Sequence, residues 1–75
     1  AYLEAYKMAT DLVERINKLP GINVLSLSDG AEIDELNKIY NDMSEYQKSF
    51  VAKEKTEVLK TYTDKITALR NEKAE

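Results

Sequence analysis

The chain has no cysteine, no histidine and no tryptophan, and only one proline and two glycines in 75 residues. Without cysteine there is no disulfide framework, no thiolate zinc or iron–sulfur site and no thiol nucleophile. Without histidine the commonest general base and the commonest metal ligand are both missing. Two glycines are too few for a phosphate-cradling loop. No apolar run reaches the roughly 20 residues of a membrane span, so no membrane insertion is expected. The length fits one small domain and excludes the large α/β architectures. The chain opens on Ala1 without a leader pattern, which points to a module of a longer protein.

What is present is helical in character. A third of the residues are charged, 11 basic against 14 acidic, for a net charge of −3. That balance does not draw the domain to nucleic acid, and none is expected as a partner. Ala5, Ala9, Leu12, Ile16 and Leu19 recur at helical spacing with Tyr6 and Val13 beside them, and Pro20-Gly21 stops that helix. Leu3 falls off the stripe. Asp11 with Arg15, Glu14 with Lys18 and Asp34 with Lys38 are i,i+4 pairs in the favourable order. The segment 20–28 is apolar for a loop. It reads as an extended connection tucking Leu25 and Leu27 under the helices, or alternatively as an exposed recognition loop.

A second helix is expected from Asp29 at the N-cap, with Glu32 at the third helical position completing a capping box. Ile33, Leu36, Tyr40 and Met43 mark its buried stripe. Its outer face is acidic, since Asp29, Glu32, Asp34, Glu35, Asp42 and Glu45 stand against the single Lys38. Ser44 and Gln47 form a second capping box and open a third helical region. Val58, Leu59, Tyr62, Ile66 and Leu69 share one face of it. A straight helix from Glu45 onward would turn Phe50 about 120° away from that face, and 52–57 holds no large apolar residue. Both features predict a break, giving a short helical segment before a long one; the alternative is one continuous helix with Phe50 exposed. The expected fold is all-α, a compact antiparallel three-helix bundle over residues 1–75.

Catalytic and metal constellations fail on inspection. Placing Gly30 at the glycine position of a calcium loop puts Leu25 and Leu27 where oxygen ligands are required. Paired carboxylates for glycoside hydrolysis need a partly dry cleft that three short helices do not enclose. The chain is therefore not read as an enzyme, and no cofactor, catalytic residue or metal ligand is assigned. The residues left over from the core, and so the candidates for contact with a partner, are Tyr2, Leu3, Ile22, Val24 and Tyr46.

The ordered set Ile16-x-x-Leu19-Pro20, Leu27-x-Asp29, Ile33, Tyr40-x-x-Met43-Ser44, Gln47-Lys48 and Phe50-Val51 resembles a small helical repeat. That repeat occurs in large secreted and wall-attached proteins of Gram-positive bacteria. The resemblance covers about residues 13–69 and departs from the pattern in larger residues at Leu36 and Ile39 and in Glu45, where proline is frequent. It implies structural roles for Leu19-Pro20, Asp29, Tyr40, Ser44 and Gln47, and neighbouring modules of the same chain as partners. It also implies a place outside the cell or on the cell wall. The function then expected is a non-catalytic spacer in a multimodular extracellular protein. The alternatives are a protein-binding module for adhesion or host-protein capture, and an accessory module of a wall- or glycan-active enzyme.

Overall fold

The computed structural model describes residues 2–74 and is all-α. Helix α1 runs over Tyr2–Asn17, α2 over Gly30–Asp42, α3 over Glu45–Lys48 and α4 over Lys53–Ala74, and no strand occurs among the described residues. Asp34 on α2 meets Arg70, and Asn37, three residues further on, meets Thr63, so α2 and α4 run antiparallel. Arg15, late in α1, meets Glu32, early in α2, so these two also run in opposite directions. The molecule measures 47 × 20 × 18 Å along its principal axes. The first turn of α1 lies beside Phe50, in the α3–α4 link. The last turns of α4 lie beside the start of α2. These two places are at opposite ends of the long axis.

The helical stripe of α1 is buried as its spacing requires: Ala5, Ala9, Leu12 and Ile16 all face inward. Ala9, Leu12 and Ile16 meet Leu36, Met43, Val51 and Leu59 in one core cluster. A second cluster joins Leu25 of the loop to Ile33 of α2 and Ile66 of α4. α1 stops at Asn17, three residues before Pro20, because the residue before a proline is driven out of the helical region. The Tyr62 hydroxyl then donates to the Pro20 carbonyl at 2.7 Å and pins the loop to α4.

The loop is not extended. It winds into two 3-10 turns, Ile22–Val24 and Leu27–Asp29, with Leu25 buried between them and Leu27 half-buried. The cap of α2 differs from the expected one for a related reason. Asp29 has helical backbone angles and makes no side-chain cap bond to α2. Its carboxylate instead accepts the Ser26 N–H at 2.9 Å. Ser26, with an extended backbone, is the better-placed cap. Helical winding therefore begins one turn earlier than Asp29, and Glu32 is left free to pair with Arg15.

The second capping box is as expected. Ser44 Oγ accepts the Gln47 N–H at 3.1 Å, and Gln47 Oε1 accepts the Ser44 N–H at 2.8 Å. The break also occurs, at 49–52, just before the charged stretch. Val51 is buried in the core, and the break lays Phe50, half-buried, against it. Tyr40 is less central than its stripe predicts. It is half-buried at the rim, with the Lys48 ammonium 5.0 Å above its ring.

The favourable i,i+4 pairs read from the sequence are not the ones formed. Arg15 pairs with Glu32 and Asp34 with Arg70, because a guanidinium reaching an adjacent helix makes a two-pronged bond that a neighbour on its own helix does not offer. Gly30 makes room for one of these. A Cβ there would stand 2.6 Å from an Arg70 guanidinium nitrogen.

Candidate functional site

No group of His, Cys, Asp or Glu among the described residues is arranged to hold a metal ion. No buried side-chain polar atom among them lacks a hydrogen-bond partner. The perturbed ionisable groups belong to the interhelical clamps. The hydrogen bond from Arg70 holds the Asp34 carboxyl below its ordinary value, and the same bond raises Arg70. The hydrogen bond to Glu32 raises Arg15. These groups fasten the start of α2 to α1 and α4.

A carboxylate with a lowered pKa contributes stability above the ordinary carboxylate range and loses it as pH falls through its depressed value. Acidification from neutral pH to about pH 2 should therefore lower the melting temperature of the native chain more than that of Asp34→Asn. Equal losses in both proteins would show that this exposed pair contributes nothing measurable.

Among the described residues, aromatic side chains concentrate at the surface where α1, α3 and the α3–α4 link meet. Tyr2 and Tyr6, one turn apart on α1, lie near-parallel with centroids 6.1 Å apart. Phe50 sets its ring edge-on to both, at 5.4 Å from Tyr2 and 6.2 Å from Tyr6. Tyr46, from the single turn of α3, completes the cluster at 5.2 Å from Phe50. Tyr2, Tyr6 and Tyr46 remain 56%, 51% and 54% exposed. The rings touch one another, so no ligand fits between them. What they offer is an outer aromatic face. A shallow groove of about 280 Å³ continues from it between α1 and the start of α4, past Val13 and Ala52.

The structure thus divides the residues singled out from the sequence. Tyr2 and Tyr46 come together, some forty positions apart in the chain. Leu3 is exposed, and its place on α1 points it away from the buried stripe. Ile22 is half-buried against α4 and Val24 is exposed in the same 3-10 turn. Sequence reasoning missed Tyr6, which sits beside the buried stripe and stays half exposed. The i,i+4 spacing of Tyr2 and Tyr6 was the available signal. It also missed Phe50 as the hub, because that role depends on the break after α3.

No protein-family model matches the chain. No curated protein and no solved structure matches it either.

Proposed function

We propose that the chain is a non-catalytic module of a multimodular extracellular bacterial protein, acting as a spacer that sets the distance between its neighbours. The observation that carries this reading is the placement of the first turn of α1 and the last turns of α4 at opposite ends of a 47 Å axis. A module threaded in this way adds length in line rather than doubling the chain back. The ion pairs Arg15–Glu32 and Asp34–Arg70 tie α2 to the helices on either side of it. The ordered sequence motifs from Ile16 to Val51 support a setting on the bacterial surface. In a parent protein, exchange of the module for an unrelated helical domain of equal length should leave adhesion or activity intact. Loss of function in that exchange, with both neighbours still folded, would overturn the spacer reading.

A protein-binding module is the second reading, and the aromatic cluster favours it. Exposed tyrosines grouped around a phenylalanine have the composition of a binding hot spot. Under this reading Tyr2→Ala with Tyr46→Ala would abolish function in the parent protein while the exchange fails.

A further inference from the structure

We infer that the link 49–52 is a hinge, and that two copies of this chain exchange α4 across it to form a swapped dimer. The partner is the same module on another molecule. Each exchange ties two parent chains together, which a spacer alone does not do.

The links of the fold differ in what holds them. Pro20-Gly21 ends α1 by covalent geometry, and the Ser44–Gln47 box fixes the start of α3. The link 49–52 has neither device. Ser49, Phe50, Val51 and Ala52 are all compatible with a helix, and no glycine or proline stands anywhere from 45 to 75. Ser49 already has helical backbone angles. Ala52 stands at the cap position of α4, where an alanine side chain offers no acceptor. The N–H groups of Ala52, Lys53 and Glu54 have no hydrogen-bond partner among the described residues. In a helix continuous from 45 to 74 they would donate to the carbonyls of Lys48, Ser49 and Phe50. Lys53, now at the positive end of the α4 dipole, would lie mid-helix.

What keeps the link bent is the direction of Phe50. In the continuous helix Tyr46 and Phe50 point about 120° or more away from the face of Leu59, Tyr62 and Ile66. Within one chain such a helix would have to leave either the Tyr2–Tyr6 surface or the core. Two chains remove the conflict. The α3 half of each fused helix keeps Tyr46 and Phe50 on its own α1, and the α4 half seats Leu59 and Ile66 in the partner's core. The contacts Tyr62–Pro20, Asn37–Thr63 and Arg70–Asp34 then recur between chains. The exchanged surfaces are the monomer's own, so a net charge of −3 on each copy does not spoil the fit. The dimer keeps the packing of the monomer and adds the hydrogen bonds of the straightened link. Exchange is therefore favoured once the protein is concentrated enough to offset the lost freedom of one molecule.

The test is refolding of the chain from denaturant at about 1 mM and at about 10 μM, followed by size-exclusion chromatography. A dimer is expected from the concentrated sample alone. It should persist for hours after dilution, because release requires α4 to leave the core. Its topology is read in the double variant Asn37→Cys, Thr63→Cys, since these side chains meet at 2.9 Å and the native chain has no cysteine. On a non-reducing gel the monomer closes this bridge within one chain, and the swapped dimer closes it between two. Lys53→Pro fits the first position of α4 but breaks a continuous helix. It should keep the helical spectrum of the monomer and lower the dimerisation constant more than about a hundredfold. Three results would overturn the inference: no dimer after refolding at millimolar concentration, a dimer bridged only within its chains, or a folded Lys53→Pro that dimerises like the native chain. Should Lys53→Pro fail to fold, the gel alone decides.

Discussion

Leu36→Ala should lower the melting temperature by about 15 °C or more and bring the domain close to unfolding at body temperature. Leu36 is wholly buried, as is Ile33 beside it on α2, and it joins the cluster of Leu12, Ile16 and Leu59. Truncating a leucine at such a site costs the transfer of the side chain and the cavity it leaves, about 3 kcal/mol. A chain of 75 residues without a disulfide or metal holds a small reserve of stability. The same change at Leu3, 74% exposed on the outer side of α1, should shift the melt by no more than a few degrees. Thermal melts followed by far-ultraviolet circular dichroism decide the matter. A native-like melt for Leu36→Ala would mean that the helices close over the gap. The core would then be organised differently from the packing described above.

The positions of α1, α2 and α4 were legible because each depends on a periodicity within its own segment. Ala5, Ala9, Leu12 and Ile16 had one face to bury and buried it. The Ser44–Gln47 box was legible because both partners lie within four residues and no distant group competes for them. Asp29 was misread because two caps were in competition. Ser26 offered an extended backbone three residues earlier, and Glu32, the expected second half of the box, was taken by Arg15 from α1. The ion pairs were misread for the same reason: pattern rules score neighbours on one helix, while Arg15 and Arg70 found better-placed carboxylates on another. Surface sites suffer most from this. The cluster of Tyr2, Tyr6, Tyr46 and Phe50 joins segments that only the folded chain brings together. Tyr2 and Tyr46 were noticed singly, as residues the core had no place for.

Phe50→Ala is the change expected to separate fold from surface. Phe50 sits in the break between α3 and α4, the one place where the third helical region leaves its periodicity. A continuous helix would carry this ring out of the core, and Val51 would keep its phase with Leu59 either way. The ring is thus one feature that the break buries, and it packs against the main core cluster while receiving Tyr2, Tyr6 and Tyr46 on its other side. Full truncation of a buried phenylalanine costs about 3–5 kcal/mol, and a half-buried one about 2–3. The melt of Phe50→Ala should accordingly fall by about 10–15 °C. Each single tyrosine truncation at the cluster, half-exposed to begin with, should cost under about 1 kcal/mol. The near-ultraviolet circular dichroism of the tyrosines should collapse in Phe50→Ala while helical content is kept, since the three rings lose the neighbour that orients them. If helical content instead rises, α3 and α4 have fused through 49–52, and Phe50 is the residue that enforces the break. If stability is unchanged, the ring adds nothing to the core, and its contacts belong to the aromatic surface alone.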